Sequence, residues 1–251
     1  MELFRGVGVA LVTRFSDDGA IDASATADLA SALVALGLQA VVVAGSTGEA
    51  ATLERDERVQ LLDAVRAAVP GTPVLAGTGA PSARQAVALT TDAVDHGADA
   101  LLVLSPPRTG DPRPYFDAVA AAAGDVPVLA YHFPAVSGPG ISIATLRELP
   151  VAGCKDSSGE PDRLLEALTT WDGALYTGCS GILALAGPLG CRGAILALAN
   201  YHPELCVRAF DGDPGAQREL APQHLRTRGG GPAGVKRMVA ERFGGSTVSR
   251  Q

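Results

Sequence analysis

The sequence predicts an α/β protein of the (β/α)8 barrel class. Three observations carry that prediction. Short apolar runs and amphipathic stretches alternate along the chain at intervals of roughly 25–35 residues, the length of βα units. Eight such runs occur. Each is continuously apolar rather than alternating, the pattern of parallel strands covered on both faces. No shift in composition divides the 251 residues, so one closed barrel accounts for the chain more simply than two domains. An open doubly wound sheet is the runner-up. It requires a G-x-G-x-x-G turn after a strand, which "GTGAPS" (77–82) does not supply.

The runs, in order, are "GVGVALVTRF" (6–15), "LQAVVVAG" (38–45), "TPVLAGTG" (72–79), "ADALLVLSP" (98–106), "VPVLAYHF" (126–133), "VAGCKDSS" (151–158), "ALYTGC" (174–179) and "GAILALAN" (193–200). Between the second and third, "TLERDERVQLLDAVRAAV" (52–69) sets Val59, Leu62, Val65 and Val69 on one helical face. Thr52 is its expected N-cap, and Gly71 lies just past its end. Helices are likewise expected over 23–36, 82–96, 113–123, 142–149, 161–171 and 180–189, with Gly37, Gly97 and Gly124 as stops. The barrel is assigned to residues 1–203 and a helical extension of the same domain to 204–251. Within the extension, "RTRGGGPAG" (226–234) is read as a flexible connector and Lys236 as a surface charge.

Composition excludes several function classes. A net charge of −7 leaves no basic stripe for a nucleic-acid backbone. No apolar run approaches the ~20 residues of a membrane helix, and "MELFRGVGVALV" lacks the order of a signal peptide, so a cytoplasmic protein is expected. Cys154, Cys179, Cys191 and Cys206 form no C-x-x-C pair and the histidines no H-x-x-x-H spacing. These cysteines read as small buried hydrophobes, and no metal site is indicated.

Lysine is scarce: Lys155 and Lys236 stand against eighteen arginines. Lys155 ends the sixth run, and in a barrel the loops after the strands converge on one mouth. An amine at the rim of an apolar core loses the hydration that favours its charged form. Neutral nitrogen attacks a ketone to form a Schiff base, and a guanidinium cannot. The alternative is a lysine that reaches solvent or pairs with Asp156. After the second run, "AGSTGEAATL" (44–53) offers Gly45 and Gly48 for close backbone approach. The hydroxyls of Ser46 and Thr47 there can hold the carboxylate of a 2-oxo acid. A plain glycine turn is the alternative reading. Tyr131 ends the fifth run as a candidate proton-transfer phenol, or as a residue that merely packs, and His132 alternates away from it.

Together, G-S-T-G-E after the second strand, Y-x-x-P after the fifth and G-x-K-D-S-S-G at the sixth resemble the dihydrodipicolinate synthase and N-acetylneuraminate lyase family of pyruvate-dependent class I aldolases. The similarity covers about residues 4–205. It implies a pyruvoyl imine on Lys155, with Tyr131 as the phenol. It also implies that Ser46 and Thr47 bind the carboxylate, and that Ser46 relays protons to Tyr131. No cofactor, a small 2-oxo acid as substrate partner and a homo-oligomer, dimer or tetramer, follow from the same resemblance.

The chain also departs from that pattern. Where a synthase has a relay tyrosine supplied by a neighbouring subunit, this sequence has Arg108. Where a synthase has an arginine after Y-x-x-P, it has Val136. A neutral side chain cannot replace that charge-assisted bond. "PAVSG" is closer to lyases of 2-keto-3-deoxy acids, yet Ser180 stands where those lyases place a carboxylate. Ala194, on the eighth run, completes the residues expected to line the substrate. The extension is shorter than the family's usual one. Reversible aldol cleavage of a 2-oxo acid to pyruvate and an aldehyde is the leading expectation. The alternatives are condensation of pyruvate with aspartate semialdehyde and a non-catalytic barrel that binds a 2-oxo acid.

Overall fold

A computed structural model describes residues 3–251, the side chains of 228 and 229 excepted. Eight parallel strands close into one barrel in chain order. They are β1 (Gly6–Ala10), β2 (Ala40–Val43), β3 (Val74–Gly77), β4 (Ala100–Leu104), β5 (Val128–His132), β6 (Gly153–Asp156), β7 (Ala174–Thr177) and β8 (Gly193–Leu196). β1 pairs with both β2 and β8, so no edge is left and the doubly wound alternative is excluded.

Six helices alternate with the strands: α1 (Ala23–Ala35), α2 (Arg55–Ala68), α3 (Ala83–Asp95), α4 (Arg113–Ala123), α5 (Ile143–Leu146) and α6 (Pro161–Thr170). A further short helix, α7 (Leu183–Ala186), follows β7, and α8 (Pro203–Phe210) and α9 (Pro214–Phe243) follow β8, ahead of a non-helical segment at 244–251. Gly37, Gly97 and Gly124 adopt the left-handed backbone that lets each helix turn back.

The strand alternation sorts side chains into two layers. Phe4, Ala10, Val42, Leu75, Leu102, Leu129, Tyr131, Tyr176 and Ile195 fill the barrel. Val7, Val9, Val41, Leu101, Val103, Cys154, Ala194 and Leu196 face the helices. Phe4 plugs the end away from the strand exits, its ring 4.7 Å from that of Tyr176. Its carbonyl accepts the Tyr176 hydroxyl at 3.0 Å.

Five local expectations are corrected. The first run is longer than its strand: past Ala10, Val12 N donates to Asn200 Oδ1 instead of the ladder, and Phe15 bridges Ile21. Thr52 does not cap α2. It closes a single 3-10 turn (Ala50–Thr52), and Glu54 caps the helix through a reciprocal capping box with Glu57. The stretch 142–149 yields one α-helical turn, and that at 180–189 a 3-10 turn followed by another. The glycine run at 229–231 is no loose connector, because helix continues on both sides of a break at Gly231 (φ 52°) ahead of Pro232.

Candidate active site

β6 carries Lys155 between two tyrosines. The registers place Tyr131 on one side and Tyr176 on the other. With Cys154 in the outer layer, the strand period of two turns Lys155 into the barrel, where it is 4% exposed. Its Nζ lies 4.2 Å from the centre of the Tyr131 ring, which stacks on Phe133 with centroids 5.8 Å apart.

Asp156 points the opposite way. Its carboxylate accepts Arg163 Nε at 2.5 Å and both the amide and hydroxyl of Ser158, at 2.8 and 2.6 Å. That pair is buried, and removing one partner of such a pair costs about 3–5 kcal/mol. Asp156 is therefore engaged elsewhere, and the amine of Lys155 faces the barrel with no carboxylate from its own strand. His132 also faces outward and accepts the Ile141 amide on Nδ1 at 2.9 Å. Burial, with Arg163 nearby, lowers its pKa to about 4, so the imidazole is neutral near pH 7.

Gly178, just past β7, is the residue the sequence reading missed at this end. A Cβ there would meet Ser157 Oγ at 1.9 Å and Lys155 Cε at 3.0 Å. The glycine leaves the space that the lysine stem occupies. Gly178→Ala is expected to push Ser157 to another rotamer and shift the stem, lowering kcat by roughly 10–100-fold with little change in Tm. Steady-state kinetics beside a thermal melt would check it, and an unchanged kcat would show the stem has room to spare.

Across the mouth, β2 runs into the Gly45–Glu49 turn. Gly48 N and Ala50 N both donate to Gly45 O, at 3.0 and 3.2 Å, and Glu49 N donates to Ser46 O at 3.1 Å. Thr13, beyond β1, donates its hydroxyl to Gly48 O at 2.7 Å. A Cβ on Gly48 would sit 3.0 Å from the Leu11 carbonyl, so the turn rests directly on the first strand exit. Ser46 and Thr47 are half-buried on it. Small hydroxylated residues on a tight turn at a strand exit can hold an anionic group.

The other candidates lie as follows. Arg108 is exposed, in left-handed backbone (φ 56°), and its amide donates to Gly138 O at 2.7 Å. That bond joins the loop after β4 to the loop after β5, on which Val136 is 57% exposed. Ser180 is buried, its hydroxyl 2.9 Å from Nδ1 of His224 on α9. Ala194 is a correction: it packs in the outer layer, and the inward residue of β8 beside it is Ile195.

Burial raises the thiols of Cys154 and Cys191 to about 12, away from thiolate chemistry. Among the described residues no group of three or more His, Cys, Asp or Glu could hold a metal ion, and no helix is long and apolar enough to cross a membrane.

Comparison with known proteins shows the family and the fold. A family model described as "Dihydrodipicolinate synthetase family" matches residues 3–225. An uncharacterised DapA-like lyase of Halobacterium salinarum is 37% identical over 225 residues, covering 86% of this chain and 74% of that protein. A 4-hydroxy-tetrahydrodipicolinate synthase of Natronomonas pharaonis is 34% identical over 234 residues, 87% of this chain and 79% of the relative. Among solved structures, the chloride-inhibited dihydrodipicolinate synthase of Acinetobacter baumannii complexed with pyruvate superposes with a TM-score of 0.88 at 29% identity. It covers 99% of this chain and 94% of that one.

Proposed function

The chain belongs to the dihydrodipicolinate synthetase family, whose members are pyruvate-dependent lyases and synthases, and on that premise we propose that it cleaves and re-forms a 2-oxo acid through an imine on Lys155. The supporting observation is a buried lysine that faces the barrel between Tyr131 and Tyr176 while Asp156 is bound to Arg163 on the other face.

In this reading Nζ attacks C2 of the keto acid, and loss of water from the carbinolamine gives the iminium. A base takes the proton of the C4 hydroxyl, the C3–C4 bond breaks, and its electron pair moves through C3 to the iminium nitrogen. The aldehyde leaves, the enamine takes a proton at C3, and water releases pyruvate. The Tyr131 phenol, with Ser46 as its relay, moves the proton. The turn bearing Ser46 and Thr47 holds the carboxylate. The face of the Tyr131 ring beneath Nζ favours a cation, and so favours the iminium over the neutral carbinolamine before it. The family's chemistry needs no metal or organic cofactor, and a homo-oligomer, dimer or tetramer, is the assembly this reading expects.

Borohydride reduction in the presence of pyruvate tests the proposal. An adduct on the peptide containing Lys155 is expected, and no adduct would leave a barrel that only binds keto acids. A panel of 2-keto-3-deoxy acids against pyruvate with aspartate semialdehyde separates lyase from synthase.

One contact favours an acidic acceptor. The Arg108–Gly138 backbone bond brings Arg108 to the loop on which Val136 replaces a synthase arginine. Arg108→Ala is expected to lower kcat/KM toward carboxylate-bearing acceptors by about 10–150-fold, the worth of one charge-assisted hydrogen bond, and to leave neutral acceptors unaffected. Equal losses on both acceptor classes would remove Arg108 from recognition.

A further inference from the structure

Glu49, the last residue of the G-S-T-G-E turn, is wholly buried and held in left-handed backbone at φ 60°, a conformation that favours glycine or asparagine. Its carboxylate is met by groups from the far end of the chain. Lys236, on α9 and 2% exposed, forms an ion pair with one oxygen. The other accepts Ser249 Oγ at 2.9 Å, the Arg250 amide at 2.8 Å and the Gln251 amide at 3.2 Å. Lys236 was expected at the surface, and the structure corrects that reading: Nζ also donates to Val248 O at 2.8 Å and lies 3.9 Å from the centre of the Phe15 ring.

The same segment fastens both flanks of the turn. Before it, Val248 packs against the cluster formed by Phe15, Ala44, Leu53 and Leu61, so the residue leading into Gly45 shares a small core with the tail. After it, Arg250 donates to Thr52 O at 3.1 Å and forms two bonds of 2.7 and 2.6 Å with Glu57 on α2. Arg250 also stacks its guanidinium 4.5 Å above Phe15, on which Lys236 rests.

We propose that Lys236 and the Val248–Gln251 segment act as a clamp on Glu49 that sets the attitude of the Gly45–Glu49 turn, making them positioning residues for the hydroxyls of Ser46 and Thr47. The inference rests on the reading that this turn holds the substrate carboxylate. A side chain of opposite charge, delivered from α9, fixes Glu49 three residues from Ser46. The amides of Gly48 and Ala50 are tied back to Gly45 O and that of Glu49 to Ser46 O, so a rotation at Glu49 is carried toward the hydroxyls. The barrel supplies the strands, and the C-terminal helix supplies the angle of this loop. The contrasting account of the same contacts is a staple that only holds residues 244–251 against the barrel.

Lys236→Met alone strands a buried carboxylate and can unfold the protein, so the informative variant is Glu49→Gln with Lys236→Met, which removes both charges at similar volume. Three measurements on the full chain decide: amide hydrogen exchange at residues 48–50, steady-state kinetics with the 2-oxo acid, and Tm. Exchange faster by about ten-fold at those amides supports the clamp. A KM raised about ten-fold, with borohydride trapping at saturating pyruvate kept within about two-fold, supports it as well. Unchanged exchange and KM beside a lowered Tm overturn it in favour of the staple. If the unsubstituted protein traps no pyruvate, the carboxylate reading fails, and the exchange arm alone still supports or overturns the coupling of α9 to the turn.

Discussion

Lys155→Arg is expected to lower kcat by roughly 10⁴–10⁶-fold and to abolish borohydride trapping, the scale at which loss of a covalent nucleophile is felt. Arginine keeps the charge, the donors and most of the aliphatic stem, so a lysine needed only as a cation would survive the exchange with a modest loss. An imine cannot, because the guanidinium nitrogen pair is delocalised and stays protonated at any working pH. No second lysine can substitute. Lys236, the other lysine of the sequence, is bound to Glu49 and Val248. Since Lys155 is buried against Tyr131 and the edge of Gly178, the larger guanidinium can disturb packing as well. Lys155→Met, which retains stem volume without the amine, guards against that ambiguity. Both variants inactive with Tm near that of the parent isolates the missing nitrogen. Activity retained in Lys155→Arg would refute the imine.

The strands and Lys155 were legible for a shared reason. A parallel strand covered on both faces leaves a continuous apolar run, and a lone lysine at the end of such a run stands out in a chain that otherwise uses arginine. The same continuity hides which side chains face inward. "GAILALAN" gives Ala194 and Ile195 equal claims, and closure of the sheet, through the pairing of β8 with β1, decides for Ile195. Lys236 reads as a surface charge in the sequence because its partner, Glu49, is distant along the chain. A polar helix that carries several arginines looks solvated until Glu49 and Phe15 arrive from the first two βα units. The glycine run at 229–231 reads as flexible by composition, but contacts of the helix on either side with the barrel outweigh its low helix propensity. Gly178 carried no local signal at all. Its role depends on Ser157 and Lys155 across a neighbouring strand.

Tyr131→Phe separates binding of the keto acid from the proton transfer that follows. The substitution deletes one hydroxyl and leaves the ring stacked on Phe133 at an interplanar angle of 23°, with its face still beneath Nζ. Imine formation at equilibrium is therefore expected to persist, so pyruvate protects and borohydride still traps, although the adduct accumulates more slowly. Cleavage of the C3–C4 bond has no such reserve. Its C4 hydroxyl must lose a proton as the bond breaks, and loss of a positioned acid-base group costs about 10²–10⁴-fold in rate. His132 cannot take over. It lies on the outer face of β5 with Nδ1 occupied by the Ile141 amide, and Asp156 is committed to Arg163. The expected result is thus a trapped adduct of normal stoichiometry together with a collapsed kcat. A kcat equal to the parent's would return Tyr131 to the role of a packed aromatic wall, and the proton would then have to be taken by another group at the mouth.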